Sequence, residues 1–279
     1  MTCFGNRLLK PLRGFAAAVC AFACTVLTAL PAYSGELLQV PVRESQTQAV
    51  FIEQPAGAPP WVIVLFAGDD GVIALDGTGP TTMKANFVLR TARYWTSAGD
   101  AVAIVDTPSD RSSGMNDAFR LSEAHAQDLH VIVATLRQRF PAAKIALVGT
   151  SRGTISVGNV LKREPRLADA YVLTSPVTIG MRGESGLSGM HWDVGATPVL
   201  VVSNENDGCQ VSPFSAARAL AEDNHLQFLA VSSNERGQGR AVECGARSPH
   251  GFLGIETQVL STISRWLDDP GSVGTVPPH

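Results

Sequence analysis

The chain has 279 residues, 45% of them hydrophobic and 17% charged, with a formal net charge of −3. This composition excludes an intrinsically disordered chain, which is poor in apolar residues and strongly charged. It also argues against a nucleic-acid partner, since no basic cluster offsets the acidic balance.

The first 34 residues, MTCFGNRLLKPLRGFAAAVCAFACTVLTALPAYS, read as a cleavable export signal. Arg7, Lys10 and Arg13 form a positive leader, Gly14 to Leu30 an uncharged Ala-rich run, and Ala32-Tyr33-Ser34 suits cleavage before Gly35. A retained membrane anchor is the alternative. It is disfavoured because a span wants ~20 strongly apolar residues, whereas this run is shorter and Ala-heavy. Cleavage leaves 19 basic residues against 25 acidic ones, a net charge of −6, and no stable membrane anchor. It also removes Cys3, Cys20 and Cys24. The remaining Cys209 and Cys244, in a periplasmic or secreted protein, read as one disulfide, with two free thiols as the alternative.

Residues 35–279 are expected to form one domain, with 270–279 (PGSVGTVPPH) as a loose Pro/Gly tail. Segments 36–43 and 48–54 read as an opening hairpin. WVIVLFAG, residues 61–68, is a continuous apolar run, the mark of a strand covered on both faces. A helix is expected over 84–99, ending at Gly99, then a strand over 100–107. A long helix over 122–140 starts from a Ser122 cap. Strand 144–149 and helix 153–164 follow, then strands 168–175 and 197–204, helix 212–224, strand 226–233 and a closing helix over 254–269. Strand–helix alternation with apolar strands means a mostly parallel sheet with helices on both faces.

The segment KIALVGTSRGTISVG, residues 144–158, places Ser151 in the turn between a strand and a helix. Such a turn forces its central residue into a strained conformation and disfavours bulky flanks, hence Gly149 and Gly153. The strain lifts the hydroxyl above the sheet, and the helix N-terminus beneath points N–H groups at developing negative charge. Ser151 is therefore the candidate nucleophile, with a plain structural turn as the alternative. A serine needs a base to take its proton and an acid to orient that base. In a parallel sheet both come from loops at the C-terminal ends of strands. After strand 197–204 stand Glu205 and Asp207. Asp207, followed by Gly208, Cys209 and Pro213, is preferred, with Glu205 the competitor. After strand 226–233 a long loop reaches Ser248-Pro249-His250-Gly251, making His250 the candidate base. His191 is the rival; His125, His130 and His225 read as surface or packing residues. A Cys209–Cys244 bridge would tie the acid loop to the base loop. The oxyanion donors expected are the N–H groups of Arg152 and of Asp69, in the loop Ala67-Gly68-Asp69-Asp70-Gly71. The carboxylates of Asp69 and Asp70 should point away or pair with Arg152, Arg111 or another cation. No His/Cys/Asp cluster shows metal-ligand spacing.

Ser151, Asp207 and His250, in the order nucleophile–acid–base, resemble the α/β-hydrolase fold superfamily over nearly all of the chain after the export segment. The resemblance implies an eight-stranded sheet and hydrolysis of an ester, thioester or amide through an acyl-enzyme, without a cofactor. It departs from the hormone-sensitive-lipase type in having FAGDDG where a His-Gly-Gly-Gly loop would stand, and Arg152 is a less usual residue after the nucleophile. The short connection between strands 168–175 and 197–204 predicts no large cap domain. The leading expectation is an exported serine esterase acting on a small or polymeric acyl substrate. A serine peptidase or amidase and a non-catalytic binding protein on the same fold are the alternatives.

Overall fold

Eight strands pair into one sheet: β1 (Ser34–Arg43), β2 (Gln46–Gln54), β3 (Trp61–Phe66), β4 (Ala101–Pro108), β5 (Lys144–Thr150), β6 (Ala170–Thr174), β7 (Val199–Asn204) and β8 (Gln227–Val231). Their spatial order is β1-β2-β4-β3-β5-β6-β7-β8. The pairs β1–β2 and β2–β4 are antiparallel, and every other neighbouring pair is parallel. The structure is a computed structural model that describes residues 1–2, 34–181, 183–237 and 242–273. The chain divides into two units, Met1–Leu30 and Pro31–His279. The export segment expected over 1–34 falls almost wholly outside the described residues. Among these, no helix is long and apolar enough to cross a membrane.

The apolar runs explain the layering. Side chains alternate across a strand, so in β3 Val62, Val64 and Phe66 enter one core and Trp61, Ile63 and Leu65 the other. The first core is covered by α4 (Glu123–Arg139), α5 (Gly153–Arg163) and α6 (Phe214–Asp223). The second is covered by α1 (Phe87–Arg90), α2 (Ala92–Ala98) and α7 (Glu256–Asp268). The expected sheet with helices on both faces is thus present.

Local chemistry sets the helix ends. Ser122 Oγ accepts from the His125 N–H at 3.1 Å, capping α4 as its sequence predicts. The helix expected over 84–99 is instead two pieces. Thr91 turns its hydroxyl onto the Phe87 carbonyl at 2.7 Å and leaves the helical region, with φ −105° and ψ 2°. Gly99 ends α2 in the left-handed conformation, as a C-terminal glycine does. Small elements without a counterpart in the sequence reading include the four-residue helix α3 (Asp117–Arg120) and a two-residue ribbon, Leu75–Asp76 against Gly79–Pro80. Residues 270–272 form a 3₁₀ turn, and Gln227 Nε2 donates to the Val273 carbonyl at 2.9 Å. Between β6 and β7 runs a short connector that sinks Val177, Leu187 and Trp192 into the core and carries no cap domain.

One buried carboxylate strains this scaffold. Asp100, between α2 and β4, is pushed up to about 6, first by burial and then by the charge of Asp268, against one backbone hydrogen bond from Trp61. Its folded-state value lies above the ordinary 3.8, so the penalty is fully present above pH about 6 and vanishes as pH falls toward 3.8. Asp100→Asn is expected to raise the melting temperature by a few degrees at pH 8 and to leave it unchanged near pH 4. Parallel thermal melts at the two pH values measure this.

Candidate active site

β5 delivers Ser151 to the C-terminal edge of the sheet with φ 52°, in the left-handed region that non-glycine residues avoid. Holding it there costs about 1–3 kcal/mol. The Ser151 N–H donates to the Thr174 carbonyl at 3.0 Å, and its own carbonyl accepts from Thr154 N–H at 2.9 Å and Thr154 Oγ1 at 2.6 Å. The turn closes because α5 starts against β3. A Cβ on Gly153 would overlap the carbonyl oxygen of Phe66. The loop after β3 presses equally close, where a Cβ on Gly68 would stand 2.9 Å from that of Ser151.

His250 comes from the long loop after β8. Its Nδ1 lies 2.8 Å from Asp207 Oδ2, with the side chains 4% and 0% exposed. A carboxylate can only accept, so Nδ1 donates to it. Nε2 is buried and has no hydrogen-bond partner among the described residues. The other oxygen of Asp207 accepts from the Cys209 N–H at 2.9 Å. Three groups that the sequence reading passed over hold the His250 turn. Ser175 Oγ donates to the His250 carbonyl at 2.7 Å, Asn204 Nδ2 to the Pro249 carbonyl at 3.1 Å, and Arg90 Nη2 to the Gly251 carbonyl at 2.5 Å. Ser175 and Asn204 stand at the ends of β6 and β7, the same edge that carries Ser151, and that placement was a readable signal. Arg90 gave none.

Ser151 and His250 line one cavity of about 470 Å³, together with Gly68, Asp69 and Arg152 and the apolar residues Met83, Phe87, Val211 and Val242. Among the described residues, neither the Asp69 N–H nor the Arg152 N–H is taken up by a protein acceptor. Asp69 has φ 49°, a second strained residue at this edge. Its carboxylate is exposed, and that of Asp70 folds back on its own loop to accept from the Val72 N–H at 2.9 Å. Neither pairs with Arg152 or Arg111. Arg152 is bound through Nε and Nη2 to Asp117 Oδ1, at 2.9 and 2.6 Å, with Glu184 at 3.4 Å; Arg111 faces Asp110.

No family model and no curated protein matches the sequence. Solved structures do match. One of the prolyl endopeptidases aligns with a TM-score of 0.57 at 16% identity, covering 85% of this chain and 39% of its own, so this chain spans about two fifths of that protein. A serine hydrolase without a lid from Xanthomonas campestris gives 0.55 at 16% identity, covering 84% and 95%. An α/β hydrolase from a Medee basin deep-sea metagenome gives 0.59 at 14% identity, covering 84% and 97%. The chain has the α/β-hydrolase fold. At such identities the likeness carries architecture alone.

Within this α/β-hydrolase fold the competing residues fall away from the cavity. Glu205 is exposed. His191 is exposed too, and contributes only its carbonyl, to Lys162 Nζ at 2.7 Å. His130 sits on the surface against Glu164. His125 is fully buried on α4, and burial, followed by the charges of Arg120 and Arg43, pushes it down to about 3. It is therefore neutral, with Nε2 engaged at 2.9 Å by Ser156 Oγ.

Cys209 and Cys244 form a disulfide across 35 residues, as the even pair predicts. It couples the loop bearing Asp207 to the one that ends in His250, and Cys244 itself lines the cavity. Closing a loop of this length contributes about 4 kcal/mol in the chain-entropy account. Reduction is expected to lower the melting temperature by roughly 10 °C. Differential scanning calorimetry with and without dithiothreitol checks this, and an unchanged transition removes the bridge from the stability of the fold.

Proposed function

We propose that the protein is an exported serine hydrolase that cleaves an ester-type bond through Ser151, His250 and Asp207. The observation that carries the reading is the buried His250–Asp207 hydrogen bond: it orients the imidazole through Nδ1 and leaves Nε2 without a protein partner, in a residue that lines one cavity with Ser151. In acylation His250 Nε2 takes the Ser151 proton as Oγ bonds to the carbonyl carbon. The carbonyl oxygen becomes an oxyanion facing the N–H groups of Asp69 and Arg152. Collapse breaks the bond to the alcohol, which leaves with the proton from His250. Water then repeats the sequence on the acyl-enzyme and frees the acid. The apolar walls suit an uncharged acyl or aryl group, and the Arg152 guanidinium is already committed to Asp117 and Glu184. Export is supported by the leader-like first 34 residues and by the disulfide.

A fluorophosphonate probe tests the reading. The wild type is expected to label, and Ser151→Ala and His250→Ala not to. On p-nitrophenyl esters Ser151→Ala should lose about 10⁵–10⁶-fold in kcat. Asp207→Asn should lose about 10⁴-fold, because the imidazole loses its tautomer control. A wild type that neither labels nor hydrolyses esters or aryl amides would sink the proposal and leave a binding protein on this fold.

A further inference from the structure

Against the lining of the cavity lies a charge that the proposed reaction does not use. Arg120, on α3, is 1% exposed. Among the described residues no carboxylate stands within ion-pair distance of it, and its Nε has no hydrogen-bond partner. Nη1 donates to Ser156 Oγ at 2.9 Å, and Nη2 to the backbone carbonyl of Asp69 at 3.2 Å. A cation buried with so few partners is costly, and a neutral side chain of the same volume would ordinarily be the more stable choice. Burial, with the like charge of Arg152, pushes its value down only to about 10, while Asp117, Asp70 and Asp69 support the charge from further off. The guanidinium is therefore protonated at neutral pH.

α3 reaches both residues that offer oxyanion N–H groups. Asp117, at its start, binds the side chain of Arg152; Arg120, at its end, binds the carbonyl of Asp69, whose φ of 49° needs external support. The same guanidinium packs against the loop at Gly71, where a Cβ would stand 2.6 Å from Arg120 Nη2. We infer that Arg120 is a positioning residue for the oxyanion loop: its hydrogen bond to the Asp69 carbonyl fixes the peptide that follows Asp69, and with it the left-handed turn that presents the Asp69 N–H, while its unpaired charge lies against that loop. The inference rests on the serine-hydrolase reading above. Charge aimed in advance at an oxyanion stabilises the transition state more than the neutral substrate, so the effect falls on kcat.

The experiment compares wild type, Arg120→Met and Arg120→Lys on a p-nitrophenyl ester and with an alkylboronic acid. On binding, the boron bonds to Ser151 Oγ as the serine proton passes to His250, giving a tetrahedral anion in the cavity. Arg120→Met is expected to lose about tenfold to a hundredfold in kcat and the same factor in boronate affinity, with KM changed by less than about twofold; Arg120→Lys should recover most of both. Kcat and boronate affinity within twofold of wild type in Arg120→Met would overturn the inference, as would parallel losses in kcat and KM that lysine does not rescue. Should Arg120→Met fail to fold, Arg120→Gln decides: losing the charge is expected to weaken the boronate by roughly threefold or more at unchanged KM, and an unchanged boronate affinity overturns the inference. A wild type that does not label with fluorophosphonate overturns the hydrolase reading and this inference together, whereas a labelling wild type with an indifferent Arg120 overturns this inference alone.

Discussion

A hydrogen bond shielded from solvent joins His250 Nδ1 to Asp207 Oδ2, and much of the C-terminal half of the molecule is arranged around it. A buried carboxylate without a partner would be expensive, and a buried imidazole without an orienting acceptor could adopt either tautomer. Each group settles the other. The surrounding backbone then holds the pair in place: the Cys209 N–H on the free oxygen of Asp207, the Ser175 and Asn204 side chains on the carbonyls of His250 and Pro249, and the disulfide between the two loops. Such a network rigidifies a site only when its members are satisfied. Here the one ring atom left over is Nε2.

The architecture was legible in the sequence because it rests on short-range signals. Continuous apolar strands, a Ser122 cap, Gly99 and the serine between glycines each state a local preference that the sheet then agrees with. The meeting of Asp207 and His250 was legible because parallel sheets deliver the loops after their strands at one edge. What could not be read depends on contacts between segments far apart in the chain. The bond from Arg120 to Asp69 spans 51 residues and that from Arg90 to Gly251 spans 161, and neither arginine lies in a motif. The four-residue α3 has no periodicity to reveal it. Thr91 looked like an ordinary helix residue until its hydroxyl took a carbonyl of its own helix.

Arg152 shows how the two kinds of information combine. Its place after the serine fixes where its backbone N–H lies, and that follows from the motif. Sequence alone offers its side chain as a partner for Asp69 or Asp70, yet it turns to Asp117 and Glu184. The loop after β3 therefore keeps its carboxylates toward water and toward its own turn, and the cavity is left with backbone donors there rather than side-chain charge.

The connector between β6 and β7 has a kinetic consequence. Its apolar residues are spent on the core, so among the described residues it builds no cover over the serine. For the proposed reaction this removes a gating step: reactants enter and leave by diffusion rather than after a slow opening. Desolvation of the reacting groups must then come from walls that are already in place.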